Sequence, residues 1–197
     1  YETMMRDPEA HVVYTRRYKT DLKGSVYSQF ERTVSRMGNV DDWSFTKSPM
    51  QATYKPTGQM VLFLGCDKPI SLKSYELPFG HVALLIHEES DEMASVQQMD
   101  DVEDTFLRKD SPCLDVKIFN PPQSSGNFMN QYADEKMTDE TTLVFDACYK
   151  NVPVEWLGQR FFDRAEWFRV HKPTYHANHY LGEVTGTGGE LFPNVEY

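Results

Sequence analysis

The chain has 197 residues, of which 40% are hydrophobic and 25% charged, proportions that are ordinary for a globular domain. This length is enough for one domain, or one and a fraction, with a real core. An aromatic content of 13% excludes disorder as the main state, and no apolar run approaches the roughly 20 residues that cross a bilayer. Thirty acidic residues against twenty basic ones give a formal charge of −10, which argues against a free, non-specific nucleic-acid binder.

Cysteine usage and the N-terminus constrain the setting of the protein. The three cysteines stand apart without CxxC spacing, which favours reduced thiols over a disulfide framework. Histidines and cysteines never cluster at ligand spacing, so we expect no zinc site. No secretory leader is visible, and the opening residues YETMM read as the interior of a longer protein.

Hydrophobic periodicity predicts strands that alternate with helices, which indicates an α/β fold with a mostly parallel sheet. In chain order we expect the end of a helix in 1–9, a strand at 11–15, an amphipathic helix at 22–38, strands at 43–47, 51–55, 60–64 and 82–86, a helix at 92–108, a strand at 116–119, a helix at 126–137, a strand at 141–146 and one or two helices in 155–182. A turn at 56–58 joins two of these strands as a hairpin, and the glycine-rich residues 186–189 resemble a hinge.

Two carboxylates follow the apolar strand 82–86 almost at once, as Glu88 and Glu89. Ligands of open α/β sheets collect at the carboxyl ends of strands, and Mg²⁺ prefers oxygen ligands. A second carboxylate beside the first can orient or deprotonate a water that attacks a phosphate. This is the Walker B arrangement, although many strands end in two acids simply because the chain leaves the core.

A second candidate position is Asn120, where strand 116–119 ends and the following prolines force an abrupt exit. If this strand neighbours 82–86, the Asn120 amide would lie beside Glu88 and Glu89. There it could hydrogen-bond a γ-phosphate oxygen or the attacking water, whereas the simpler interpretation is a turn.

The missing motifs are equally informative. A phosphate-binding loop needs Gly-x-x-x-x-Gly-Lys-[Ser/Thr], and no Gly-Lys pair occurs in these residues. No Gly-x-Ser-x-Gly motif supports a serine hydrolase, and Cys148 has no recognisable catalytic signature around it.

Six stretches together resemble the large terminase subunit of tailed bacteriophages, in the PBSX-like group, over nearly the whole chain. They are DLKGSVYSQF at 21–30, YKPTGQ at 54–59, LKS at 72–74, HEESDE at 87–92, FNPPQSS at 119–125 and YLGEVTGTGGELFPN at 180–194. The last is the most specific. The resemblance implies a RecA-like (ASCE-type) P-loop NTPase core with a β-hairpin insertion, occupying residues 1–182, and a hinge at 183–197 toward a nuclease domain.

The resemblance also implies roles for individual residues. Glu88 corresponds to the metal-binding Walker B acid, Glu89 to the catalytic glutamate, and Asn120 to the coupling motif. Lys73 falls in the loop where related motors place a basic group that reaches the neighbouring subunit's nucleotide. The implied cofactors are Mg²⁺ and ATP, with the P-loop upstream of Tyr1, so that the chain alone would be inactive.

As a terminase, the protein would couple ATP hydrolysis to translocation of double-stranded viral DNA into the procapsid. The implied partners are the portal protein, the small terminase subunit and further copies in a ring on the procapsid, in the host cytoplasm and without a membrane. Arg16, Arg17 and Lys19 are candidate DNA contacts.

Two other functions remain open from the residues. Asp146 ends an apolar run and could join Glu88 and Glu89 in a two-metal nuclease. The absent P-loop instead favours a non-catalytic remnant that binds the portal or the small subunit.

Overall fold

The computed structural model describes the backbone of residues 1–67, 75–107, 111–122, 124, 126–145, 147–180, 183–185 and 191–193. The chain divides into two compact units, Tyr1–Phe119 and Asn120–Tyr197. In the described part, none of the helices is both long and apolar enough to cross a membrane.

A six-stranded sheet in the order β2-β3-β4-β1-β5-β6 forms the centre of the first unit. Its strands are β1 (Ala10–Arg16), β2 (Trp43–Lys47), β3 (Met50–Tyr54), β4 (Met60–Gly65), β5 (His81–Glu88) and β6 (Leu114–Ile118). Strands β4, β1, β5 and β6 are parallel, whereas β2 and β3 pair antiparallel with each other, and β3 pairs antiparallel with β4. The predicted mostly parallel sheet and its hairpin are confirmed.

The inner strands are apolar on both faces because both faces are covered. Strand β1 is buried almost throughout, and four consecutive residues of β4 are buried. The main hydrophobic cluster joins these strands to the hairpin and to the helix that follows β1. At its centre, Phe63 packs against Tyr14, Tyr27 and Phe30 with ring centroids 5.2–6.0 Å away.

Helices α1 (Glu2–Arg6), α2 (Lys19–Leu22), α3 (Ser28–Arg36) and α4 (Val96–Phe106) complete the first unit. The helix expected at 22–38 starts earlier and is interrupted, since a π-helical segment, Lys23–Tyr27, separates α2 from α3. Within it Ser25 departs from helical geometry, with φ −102° and ψ −110°. Helix α4 begins later than expected because Ser90–Glu92 forms a separate 3₁₀ turn.

The second unit is largely helical, with α5 (Phe128–Lys136), α6 (Val154–Leu157), α7 (Gln159–His171), α8 (Pro173–Tyr180) and an antiparallel pair, β7 (Glu183–Thr185) and β8 (Leu191–Pro193). Helix α5 begins two residues after the predicted start, because Asn127 caps it by accepting a hydrogen bond from the Met129 amide at 2.9 Å. His176 is a buried structural residue, with Nε2 3.0 Å from the Tyr149 hydroxyl.

The strand predicted at 141–146 is wrong for the residues described there. Residues 141–145 form a turn and irregular chain, and residue 146 lies outside the described part. Leu143 and Phe145 are 87% and 74% exposed. An apolar run becomes a strand only when a neighbouring strand pairs with its backbone, and no described strand pairs with these residues.

Candidate functional site at the carboxyl end of strand β5

Glu88 and Glu89 lie at the carboxyl end of β5, between the parallel neighbours β1 and β6. Side chains alternate along a strand, so His87 and Glu88 project to opposite faces of the sheet. His87 is fully buried, whereas the Glu88 side chain keeps 20% of its surface exposed. The sheet therefore presents Glu88 at its accessible edge.

Two side chains from earlier elements contact the Glu88 carboxylate. Ser25 Oγ lies 3.2 Å from Glu88 Oε2 and 2.9 Å from the Asp21 carbonyl oxygen, so its one proton serves either acceptor. Arg16 Nη1 lies 3.8 Å from the same Glu88 oxygen. The interruption of the helix at Ser25 is thus part of the site, and it falls within the family-like stretch 21–30.

Glu89 adopts the left-handed backbone conformation, with φ 50° and ψ 53°, and precedes the short turn Ser90–Glu92. A residue other than glycine rarely takes this conformation, which costs roughly 1–2 kcal/mol and is concentrated at functional sites. Burial raises the pKa of the Glu89 carboxyl, and the charge of Asp91 raises it further against the opposing effect of Arg16. A carboxylate with a raised pKa is a stronger proton acceptor.

Arg16, predicted from the sequence only as a candidate DNA contact, lies instead beside Glu88 in the site. It is the last residue of β1, and only 17% of its side chain is exposed. Its Nε lies 3.4 Å from Glu92 Oε2, and the neighbouring Arg17 donates from Nη1 to the Glu92 carbonyl oxygen at 2.7 Å. The signal was present, because the carboxyl ends of adjacent parallel strands meet at one edge.

An open cavity of about 720 Å³ lies farther along this edge, near the ends of β1 and β4. Lys19, Lys23, Gly65 and Asp67 are among the residues that line it. Gly65 permits the close approach of α2, because a Cβ on residue 65 would lie 2.5 Å from the backbone nitrogen of Lys19. The exposed Lys19 and Lys23 place two basic side chains here beside the acidic Asp67.

The remaining candidate residues are placed as follows. Strand β6 neighbours β5 as expected, with Ile118 in register with Glu88, and Asn120 begins the second unit as an exposed residue. Lys73 and Asp146 lie outside the described residues. The structure therefore brings together Glu88, Glu89 and Arg16.

Comparison with known proteins identifies similar chains. A family model described as phage terminase large subunit matches residues 1–186. The large terminase subunit of Bacillus phage SPP1 is 27% identical over 197 residues, which are 98% of this chain and 46% of that protein. This chain therefore spans less than half the length of that relative.

Two solved structures have a similar fold. The large terminase of a thermophilic bacteriophage, in complex with ADP, matches with a TM-score of 0.59 and 14% identity, covering 88% of this chain and 40% of that one. A mutant ATPase domain of the large terminase from Thermus phage P74-26 matches with a TM-score of 0.60 and 12% identity, covering 92% and 79%. At identities this low, the likeness shows the fold alone. That fold confirms the predicted RecA-like class.

Proposed function

The chain belongs to the phage terminase large subunit family, and from that premise we propose that it forms the ATPase motor part of such a subunit. In this proposal it couples hydrolysis of Mg²⁺-bound ATP to translocation of viral DNA into the procapsid. The observation that carries the proposal is the pair Glu88 and Glu89 at the carboxyl end of β5, with Glu89 in a left-handed conformation.

The residues around Glu88 fit a magnesium ion. Glu88 and Ser25 offer carboxylate and hydroxyl oxygens, the ligand types that Mg²⁺ prefers. Within the described residues, the contacts of Ser25 and Arg16 with Glu88 both involve Oε2, which leaves Oε1 available for coordination. Glu88 and Ser25 would hold the ion, directly or through water.

Glu89 would orient the attacking water and take its proton. Bound ATP would supply the electrophilic γ-phosphate, and Mg²⁺ would supply positive charge that offsets the negative charge of the phosphate oxygens. The raised pKa of Glu89 suits proton transfer, and its backbone conformation turns the residue away from the strand direction. Arg16 would position Glu88 by direct contact, and the turn that follows Glu89 by its contact with Glu92.

A phosphate-binding loop would come from a segment outside these residues, because Gly-x-x-x-x-Gly-Lys-[Ser/Thr] does not occur in them. Strand β6 is the outer strand of the described sheet, and its Leu114 and Ile118 are 63% and 52% exposed. This edge offers a place for one more strand. The ATPase domain would span residues 1–182, with 183–197 as the linker toward a nuclease domain.

The remaining assignments follow from the family. Asn120 would belong to the motif that couples the nucleotide state to movement, and Lys73 would reach the nucleotide of a neighbouring copy. The proposed partners are double-stranded DNA, the portal protein, the small terminase subunit and further copies in a ring at the procapsid, in the host cytoplasm. Because Arg16 is held by Glu88 and Glu92, Lys19 and Lys23 are better candidates for DNA contact.

Glu89→Gln tests the proposal in a protein that carries this chain with whatever precedes Tyr1. The change keeps the size of the side chain and removes its charge. We expect kcat for DNA-stimulated ATP hydrolysis to fall by about 10²–10⁴-fold, the usual contribution of a general base. The Kd for ATP should change less than about threefold, since no ground-state contact is lost.

Glu135→Gln is the matched control, since it removes an exposed carboxylate from α5 and should leave kcat unchanged. Retained turnover in Glu89→Gln would remove the catalytic role of Glu89. Absence of both ATP binding and turnover in the unaltered protein would favour the non-catalytic alternative.

A further inference from the structure

The face of β5 opposite Glu88 carries a partly buried cluster that the ATPase proposal does not use. His87 from β5, Glu103 from α4 and Asp115 from β6 each direct one ligand atom to a common point, and the three atoms all lie within 4.8 Å of one another. His87 is fully buried, and the Glu103 and Asp115 side chains are 27% and 23% exposed.

The separations inside the cluster are too long for hydrogen bonds and close to those of ligands that share an ion. His87 Nε2 lies 3.7 Å from Asp115 Oδ1 and 3.9 Å from Glu103 Oε1. Ligands about 2.0–2.2 Å from a tetrahedral ion lie roughly 3.3–3.6 Å apart, so the two separations from His87 exceed this range by only a few tenths of an ångström. Among the described residues, neither His87 Nε2 nor Asp115 Oδ1 has a hydrogen-bond partner, although both atoms are buried.

The other ring nitrogen of His87 is held in the way that metal-binding histidines require. Nδ1 lies 2.7 Å from Thr15 Oγ1, which in turn lies 3.4 Å from the Ile86 carbonyl oxygen. When the Thr15 hydroxyl donates to Ile86, Nδ1–H donates to Thr15, and the lone pair of Nε2 faces the two carboxylates.

Charge around the cluster favours a further cation. Lys117 contacts both acids, with Nζ 2.9 Å from Glu103 Oε1 and in contact with Asp115 Oδ2, so Asp115 Oδ1 still faces His87. One ammonium group thus balances two carboxylates, and α4 adds three more acids, Asp100, Asp101 and Asp104.

We propose that His87, Glu103 and Asp115 bind a divalent transition-metal ion of the Zn²⁺ or Mn²⁺ type. One imidazole nitrogen and two carboxylate oxygens suit these ions better than Mg²⁺, which prefers oxygen alone. The bound ion ties α4 and β6 to β5 directly behind Glu88. This site is separate from the proposed nucleotide site and does not depend on it.

The test is calorimetric titration of the chelator-treated chain with Zn²⁺ in the absence of nucleotide. We expect saturable binding of one ion per chain. His87→Gln, Glu103→Gln and Asp115→Asn should each weaken the affinity at least about tenfold, since each removes a ligand. Lys117→Met should tighten binding, because the ammonium competes for the Glu103 oxygen.

Two control variants distinguish ligation at this site from nonspecific attraction of Zn²⁺ to acidic residues and from binding at the proposed nucleotide site. Asp104→Asn removes an exposed charge from the same helix, and Glu88→Gln removes the proposed Mg²⁺ ligand; both should change the Zn²⁺ affinity less than about twofold because neither residue is a ligand. No saturable binding, or equal weakening by these controls and by the ligand variants, would overturn the proposal.

A second measurement on the unaltered chain covers variants that fail to fold. Zn²⁺ should shift the ring ¹⁵N signals of His87 and leave those of His11, an equally buried histidine at the other end of the neighbouring strand, unchanged. Unchanged His87 signals at saturating Zn²⁺ would also overturn the proposal.

Discussion

At the residue scale, Gly80 holds a position where no side chain fits. It precedes β5 with φ +62°, and a Cβ placed there would lie 1.9 Å from the Glu9 carbonyl oxygen. That carbonyl accepts the His81 amide at 3.0 Å, which aligns the start of β5 with the start of β1. The glycine therefore helps to set where Glu88 and Glu89 emerge.

Gly80→Ala should destabilise the protein much more than Gly38→Ala. Both glycines have positive φ, but a Cβ on Gly38 meets nothing within 4 Å. Gly38→Ala should lower the free energy of unfolding by about 1 kcal/mol, because alanine is strained only by the left-handed conformation. Gly80→Ala adds a backbone clash and should cost about 3 kcal/mol or more. Urea denaturation of both variants checks this, and equal losses would show that the Glu9 backbone yields easily.

At the element scale, a single buried side chain joins α1, β1 and the turn before β4. Gln59 is fully buried, and its Nε2 is within hydrogen-bond distance of three carbonyl oxygens, those of Met4 at 3.1 Å and of Asp7 and Ala10 at 2.8 Å. Its Oε1 accepts from Thr57 at 2.7 Å. Gln59 is the last residue of the stretch 54–59 that resembles terminases, and these contacts give it a structural role.

Gln59→Leu should lower the free energy of unfolding by about 2–4 kcal/mol, because it leaves buried carbonyl groups without donors. Gln29→Leu, at an exposed position of α3, is the matched control and should have little effect. Urea denaturation followed by circular dichroism measures both. A loss no larger than that of the control would indicate that water replaces the amide.

At the scale of the whole molecule, the first unit contains its own core. Every buried residue of the main cluster lies between Met4 and Phe63, so its contacts are made within Tyr1–Phe119. About 120 residues are enough to bury a stable core. The division at Phe119 also separates the strand-rich part of the chain from the mainly helical part.

A fragment of residues 1–119 should therefore fold by itself. Of the three tryptophans in the chain only Trp43 lies in it, and Trp43 is 3% exposed, against 79% for Trp156 and 50% for Trp167. We expect blue-shifted emission and weaker acrylamide quenching than in the full chain. The control is the fragment unfolded in concentrated urea, where Trp43 emission should be red-shifted and strongly quenched. If the fragment in buffer showed that same emission, it would need the second unit in order to fold.

The sequence by itself determined the parallel strands and the two acids at the carboxyl end of β5. Apolar runs bounded by polar residues are local signals, so β1, β4 and β5 were predicted within one or two residues. Glu88 and Glu89 could be proposed because chain order alone places them after a buried strand. The strand at 141–146 failed because pairing is not a local property.

Only the tertiary structure decided which distant residues meet. The interruption at Ser25, the contact of Arg16 with Glu88, and the convergence of His87, Glu103 and Asp115 bring together residues that lie far apart in the chain. No spacing rule predicts such meetings, since sheet order and register determine them. A burial pattern read from sequence tells which side chains point inward, but their partners depend on which strands and helices pack together.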